Sequence, residues 1–302
     1  MPSNDGTAGR IMVTNPISSH NPFVVPIRKP LVIAHRGASA FAPENTMAAF
    51  RLALYLGADG IELDVQLSSD EHPVVIHDRN LYRTTGVAGR VASFSAHDLG
   101  KLDAGSWFVR RLSLRPRIRA FAEKAGATLD YSRESVPTLE EVLKLFSPSE
   151  SCRLYIELKT EPGRQRQLLQ NTISLVRDYR LQQSITLLSF DHQIIEIAKQ
   201  LAPEIRSAAT FAIAGRTLAS PRKISAAARR LGVEEVALHF GLANRRMVST
   251  LCDAGLSVSV WTVNNRLVMR KLISSGVESI MTNYPDRLVA TLKRQPSSIP
   301  TH

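Results

Sequence analysis

Cysteine is nearly absent: the 302 residues hold two, Cys152 and Cys252. Neither has a CxxC partner or zinc-type spacing, which excludes a disulfide framework and a thiolate metal centre. Two reduced thiols in a reducing compartment are expected. Long apolar runs are missing too. No stretch approaches the roughly 20 residues a membrane helix needs, so no integral membrane association is expected. The N-terminus, MPSNDGTAGRIMVTNPISSH, lacks a basic segment followed by an apolar core, so it does not read as a secretory signal. A soluble, cytoplasmic protein is the expectation. No Gly-rich dinucleotide turn follows the first apolar run, which argues against a doubly wound nucleotide-binding sheet. Acidic side chains are also scarce. Asp and Glu number 27 against 38 Lys and Arg, giving a net charge of +11 and a pI of about 10. That excess points to anionic partners, whether phosphate-bearing substrates, nucleic acid or an acidic membrane surface. A solvated surface is the plainer reading, because the basic residues form no long run.

Apolar residues make up 44% of the chain, enough for a sizeable core. Residues 1–30 are polar and broken by Pro16, Pro22, Pro26 and Pro30, so they read as a flexible leader. Residues 294–302 read as a tail, leaving 31–293 as one domain. Within it, apolar strands are expected at Leu31–His35, Gly60–Leu67, Arg153–Lys159, Ser184–Phe190, Arg206–Phe211, Glu235–Phe240, Ser257–Val263 and Ser279–Thr282. Between most of them lie helical patterns: Thr46–Leu56, Thr138–Leu145, Gln165–Tyr179, His192–Leu201, Pro221–Leu231, Asn244–Ala254 and Leu267–Ser275. Eight strands alternating with helices predict an α/β fold, a (β/α)8 barrel. PVVIHD, from Pro73 to Asp78, interrupts the alternation. It follows Leu67 too closely for a parallel crossover, so it reads as a β-hairpin extension after strand two. The strongly basic stretch near 112–135 reads as an insertion over the catalytic face, with room for a short helix.

In such a barrel the chemistry sits at the C-terminal ends of the strands. Strand one ends in His35-Arg36-Gly37, and the hairpin in His77-Asp78. Glu62 and Asp64, two residues apart in GIELDV, point to one face of their strand, and YIELK adds Glu157 and Lys159. Three carboxylates converging in a barrel mouth are costly unless a cation joins them. Oxygen-only ligands favour one hard divalent ion, Mg2+ or Ca2+, with Mn2+ also suitable. The alternative is an ion network in which Arg36 and Lys159 pair with these acids. Two histidines facing one site can divide the roles of general base and general acid. His35 is assigned as base and His77 as acid. Arg36 and Lys159 are placed to neutralise a phosphate.

HRG…PENT, ELDV…VIHD, IELK, WTVN and TNYPD, in this order and spacing, resemble the glycerophosphodiester phosphodiesterases over about Leu31 to Leu292. The resemblance implies a TIM barrel and metal-dependent hydrolysis of glycerophosphodiesters, the deacylated phospholipids, to sn-glycerol 3-phosphate and an alcohol. By the same motifs Glu62, Asp64 and Glu157 would hold the metal, His35 and His77 would be the acid–base pair, and Arg36 and Lys159 would hold the phosphate. Glu44, in the PENT turn, would bind substrate or orient His35. The same turn reads as a helix start with Asn45 or Thr46 as its cap. Trp261 would pack against the glycerol, with Phe190 in a similar role; a core position is the plainer reading of Trp261. The connection from Trp107 to the PTLEE helix at Pro137 is longer than is usual in the family, which bears on substrate preference.

Two other readings compete. A related lipid phosphodiesterase, sphingomyelinase-D-like or phosphatidylinositol-phospholipase-like, also uses two histidines. It usually acts on membrane lipid, and no apolar insertion loop is evident here. A basic module binding nucleic acid or acidic lipid finds support only in the net charge and the stretch near Arg110 to Arg119. Small-molecule glycerophosphodiesters are the expected partners, with no nucleic acid.

Overall fold

The computed structural model of the protein describes residues 29–112, 116–124, 130–146, 152–213 and 220–294. Nearly all of the expected leader and tail therefore lies outside the described residues, as do parts of the insertion.

The strands are β1 (Leu31–His35), β2 (Gly60–Leu67), β3 (Pro73–Val75), β4 (Arg153–Leu158), β5 (Ile185–Ser189), β6 (Arg206–Phe211), β7 (Glu235–His239), β8 (Ser257–Trp261) and β9 (Ser279–Thr282). Eight of them form a closed parallel barrel in the order β1-β2-β4-β5-β6-β7-β8-β9, with β9 returning to β1. The chain is thus a (β/α)8 TIM barrel. β3 lies outside the ring as the antiparallel partner of β2. The helices are α1 (Met47–Tyr55), α2 (Tyr82–Thr85), α3 (Ala96–Leu99), α4 (Ser106–Leu112), α5 (Pro116–Lys124), α6 (Leu139–Phe146), α7 (Gln165–Asp178), α8 (His192–Leu201), α9 (Pro221–Leu231), α10 (Arg245–Asp253), α11 (Arg266–Ser274) and α12 (Pro285–Lys293).

Every residue of β2 is buried, because helices cover its outer face and other strands its inner one. Alternation divides the work. Ile61, Leu63 and Val65 belong to the large core beneath the helices, so Glu62 and Asp64 take the opposite face. In β4, Leu154, Ile156 and Leu158 likewise face the helices, while Tyr155 joins Ile33, Leu188, Ala208, Ala237 and Met281 in a separate cluster. This second cluster fills the barrel and is the floor beneath the acids.

Several strands stop short of the expected ends. Lys159, Phe190, Phe240 and Val263 all lie just past the ladder, where the chain turns out of the sheet at the barrel mouth. β3 is likewise shorter than PVVIHD, and His77 and Asp78 follow it as irregular chain. Gln66 Nε2 holds that turn by donating to the carbonyls of Ile76, His77 and Asp78 at 2.9–3.0 Å. The insertion contributes α5 and ends in a segment tied to the core. Tyr131 is buried and donates to Phe41 O at 3.0 Å, and Glu134 accepts from Ala48 N–H at 3.0 Å. No described helix is long and apolar enough to cross a membrane.

Candidate active site

Strand register assembles the acids. His35 stands beside Glu62 across the β1–β2 pair, and Asp64 beside Glu157 across β2–β4. Oxygens of Glu62, Asp64 and Glu157 all come within 4.8 Å of one another, and all three residues are buried. Lys159, one step beyond β4, reaches both Glu157 and Asp64, its Nζ lying 3.0 Å from Asp64 Oδ1. Arg36 Nε sits 3.0 Å from Asp64 Oδ2, and its Nη1 donates to Glu44 at 2.9 Å. Neither the Arg36 Nε–Asp64 nor the Lys159–Asp64 approach is aligned as a hydrogen bond, so Asp64 Oδ1 and Arg36 Nε still lack a bonded partner. Charge proximity holds these groups, with directional capacity to spare.

Three buried carboxylates therefore face two cations, and the imbalance falls unevenly. Burial, then the charges of Asp64 and Glu157, push the Glu62 carboxyl well above its ordinary range. Glu157 is raised by burial and Asp64. Burial opposes the charge of Asp64 as well, but Lys159 and Arg36 outweigh it and hold this carboxyl low. Glu62 Oε2 accepts the Arg36 backbone N–H at 3.1 Å, while Oε1 is buried with no partner. An orphaned carboxylate oxygen within an all-oxygen cluster fits a hard divalent cation.

Both histidines are oriented through Nδ1. His35 Nδ1 lies 2.8 Å from Asn283 Oδ1, which leaves Nε2 facing Glu62 Oε2 at 3.9 Å and Thr262 Oγ1 at 3.5 Å. Burial, followed by the Arg36 charge, lowers the His35 pKa to about 4, so the ring is neutral at pH 7. His77 Nδ1 lies 2.6 Å from Asp78 Oδ1, and Asp78 is bound in turn by Arg83 Nε. Burial is the largest influence on His77 and lowers its pKa, with Asp64 and Asp78 opposing. Arg83 also forks onto Glu44 at 2.8 and 2.9 Å. One ionic chain thus crosses the mouth, from Asp78 through Arg83, Glu44 and Arg36 to Asp64.

The turn after β1 makes this possible. Gly37 has φ of +79°, and a Cβ there would lie 2.6 Å from the Ala49 carbonyl carbon. Only glycine fits so close to α1. Thr46 caps α1, its side chain accepting from Ala49 N–H. Asn45 instead serves the site, its amide donating to Asp64 Oδ2 at 2.8 Å.

The expected residues His35, Arg36, Glu44, Glu62, Asp64, His77, Glu157 and Lys159 come together at one end of the barrel. Glu44 makes no bond to His35; Asn283 occupies that position, and Glu44 engages Arg36 and Arg83 instead. Trp261 and Phe190 stand at the mouth in a T-shaped, edge-to-face pair, 5.4 Å between ring centroids. Trp261 Nε1 donates to Ala237 O at 3.2 Å, and Lys159 Nζ lies 5.9 Å from the Phe190 ring. A cavity of about 160 Å3 opens beside His35 and Arg36, walled by Trp107, Phe108 and Arg111 of α4 and by Asn283 and Tyr284. Asn45, Asp78 and Asn283 lay inside the motifs, yet sequence reasoning gave them no site role. Arg83 had no signal, because it lies outside the motifs and one of its two partners, Glu44, is 39 residues away.

Comparison with known proteins identifies the family. Residues 35–287 match the model of the glycerophosphoryl diester phosphodiesterase family. A glycerophosphodiester phosphodiesterase of Caldanaerobacter subterraneus is 34% identical over 272 residues, covering 88% of this chain and 99% of that one. One from Bacillus subtilis is 34% identical over 264 residues, covering 85% of this chain and 84% of that one. Among solved structures, an Oleispira antarctica phosphodiesterase in complex with the product sn-glycerol-3-phosphate superposes with a TM-score of 0.73. It is 28% identical and covers 88% of this chain and 97% of that chain.

Proposed function

Because the chain belongs to the glycerophosphoryl diester phosphodiesterase family, we propose that it hydrolyses glycerophosphodiesters to sn-glycerol 3-phosphate and an alcohol, with a divalent cation at Glu62, Asp64 and Glu157 and with proton transfer by His35 and His77. It is a phosphoric diester hydrolase; the metal and the histidine roles are the finer reading. The observation that carries them is the buried carboxylate triad with an orphaned Glu62 oxygen, set between two histidines that each have their own Nδ1 partner.

A bound Mg2+ or Ca2+ would supply charge neutralisation and polarise a phosphoryl oxygen. The remaining work falls to the chain. Asn283 accepts from Nδ1–H of His35, so the Nε2 lone pair faces the site and can take a proton from the attacking oxygen, water or the glycerol 2-hydroxyl. His77 donates from Nδ1 to Asp78, whose carboxylate stabilises the imidazolium form needed to protonate the leaving alkoxide. An incoming phosphate opposes the lowering effect of burial on His77, since its negative charge favours the protonated ring. Arg36 and Lys159 are committed to carboxylates. They become available to the phosphate once the acids find their charge partner elsewhere, so substrate binding is expected to follow metal binding. Phe190 and Trp261 offer apolar faces to the glycerol, and the cavity by Trp107 and Arg111 faces the alcohol group. Cys152 and Cys252 are both free thiols, consistent with reaction in the cytoplasm.

The test is a coupled assay for glycerol 3-phosphate across several glycerophosphodiesters, with and without chelator. Release that stops in chelator and returns with Mg2+, Ca2+ or Mn2+ is expected. Choline phosphate or diacylglycerol released from bilayers, with no glycerol 3-phosphate, would overturn the assignment.

A further inference from the structure

The net charge of +11 is not explained by the phosphate site, whose cations are matched by Glu44, Asp64 and Glu157. Cations without an ion-pair partner are spread over the described surface, and five of them gather at one place. Helices α9, α10 and α11 follow β6, β7 and β8, so their first turns ring the barrel mouth opposite β2 and its insertion. Arg222 and Lys223 occupy the first turn of α9, and Arg245 and Arg246 that of α10. All four are exposed, and neither turn holds an acid. None of the four has an ion-pair partner among the described residues. Arg266 begins α11 and is also exposed, with the carboxyl of Asp286 within its field. Cations at a helix N-terminus oppose the helix dipole, so the arrangement costs local stability.

The same rim exposes apolar side chains. Of six large apolar residues left exposed among the described residues, four stand here: Phe190 at 47%, Ile213 at 45%, Phe240 at 42% and Leu267 at 70%. Most of the rim is continuous. Trp261 lies 5.4 Å from the Phe190 ring and 5.3 Å from His239, and His239 is 4.4 Å from Phe240. Ile213 Cδ1 lies where a Cβ on Gly241 would touch it. We propose that this rim is a docking surface for an anionic phospholipid bilayer and holds the barrel mouth against the headgroup layer.

The chemistry selects that occupant. An anionic bilayer offers phosphate charge to the arginines and an apolar layer a few ångströms deeper for Ile213 and Leu267. Nucleic acid would satisfy the cations and stack on Phe190 or Phe240, but it offers Ile213 and Leu267 no apolar layer to enter. A second copy would bring like charges face to face. Such docking is peripheral, and it stands apart from the hydrolytic assignment because binding and turnover are read separately.

The experiment is co-sedimentation of the full chain with vesicles of phosphatidylcholine alone or mixed with phosphatidylglycerol, beside an assay on a water-soluble glycerophosphodiester. Binding to the mixed vesicles only, weakening with salt, is expected. Arg245→Ala with Arg246→Ala should lower partitioning about 30-fold, from roughly fivefold per cation near an anionic surface. Ile213→Ser with Leu267→Ser should lower it at least about 10-fold. Arg245→Glu with Arg246→Glu should abolish binding while raising the melting temperature, which misfolding would not do. Turnover of the soluble substrate should survive in all of them. Failure of the native chain to bind anionic vesicles overturns the proposal, as does native-like binding by the rim variants. Binding to duplex DNA that outlasts vesicle binding in Ile213→Ser with Leu267→Ser would assign the rim to nucleic acid instead. A dimer dissociated by Leu267→Ser would make it an interface between copies.

Discussion

Glu62→Gln probes the carboxylate triad at its least satisfied member. Glu62 is 1% exposed, its Oε1 has no partner, and burial with Asp64 and Glu157 makes its ionised form unfavourable. Glutamine keeps the shape. Its carbonyl oxygen can still accept the Arg36 backbone N–H, and its NH2 would give the neighbouring acids a donor in place of a third negative charge. Two buried carboxylates would then face two cations. Relieving such an unpaired, desolvated charge is worth about 1–3 kcal/mol. In excess chelator the variant should therefore melt higher than the native chain, by about 2–6 °C at roughly 2 °C per kcal/mol for a chain of this size.

Divalent metal should reverse the order. A ligand at 100 times its Kd stabilises the native chain by about 2.7 kcal/mol, and a variant lacking one charged ligand should gain little. The pH dependence has a definite sign. An acid whose pKa is raised by folding leaves the native state holding more protons than the unfolded one. Metal-free stability should then fall as pH rises through the range above the ordinary glutamate value. Glu62→Gln should flatten that slope. Thermal unfolding by circular dichroism, with chelator and with Mg2+, Ca2+ or Mn2+, reads all three effects. A variant that melts lower than the native chain in chelator would show Glu62 to be a structural anchor. No rise in the native melting temperature with any of the three ions would remove the metal site.

The remaining predictions concern proton transfer, geometry and specificity. His77→Ala should regain much of its lost rate with a p-nitrophenyl leaving group, which needs no proton, while His35→Ala should not; the opposite rescue reverses their roles. Asn283→Ala frees the His35 ring and should lower kcat roughly 10-fold with KM little changed, the loss expected of one buried hydrogen bond; a change confined to KM would contradict this. Gly37→Ala should cost about 3 kcal/mol or more in denaturant unfolding, given its positive φ and a 2.6 Å contact with backbone. Gly86→Ala, also at positive φ but with nothing within 4 Å, should cost about 1 kcal/mol. Arg111→Ala should alter KM among substrates with different alcohol groups while leaving the smallest one unaffected. Point changes are preferable to trimming residues 112–135, because Tyr131 and Glu134 tie that segment to the core.

Much of the barrel was legible because strand and helix periods alternate over most of the chain, and the lengths suit βα units. Strand ends were overread at Lys159, Phe190, Phe240 and Val263, since apolar or cationic residues at the mouth look like continued strand whether they are exposed, as Phe190 and Phe240 are, or buried, as Val263 is. Helices α2 and α3 were invisible, four residues each being too few for a periodic signal. The metal-ligand candidates were readable because alternation puts Glu62 and Asp64 on one face without knowledge of the tertiary structure. The docking rim was not, because its residues are scattered over four strand-to-helix units and acquire continuity only when the barrel closes.

The PENT turn shows where sequence reasoning stops. Asn45 and Thr46 are both good caps, and the one-dimensional pattern could not choose between them. Folding chooses by geometry. Thr46 has an extended backbone and accepts from Ala49 N–H, as a cap must. Asn45 has φ of +58°, a conformation that asparagine tolerates better than most residues. That twist turns its amide away from the helix and onto Asp64. Glu44, one residue earlier, points to Arg36 and Arg83. Three consecutive residues thus neutralise a clamp, hold a carboxylate and start a helix. Asn45→Ala should therefore leave α1 capped while releasing Asp64, so helix content should persist as metal affinity falls. Loss of helix content together with metal affinity would show that the two roles are not separated as the geometry indicates.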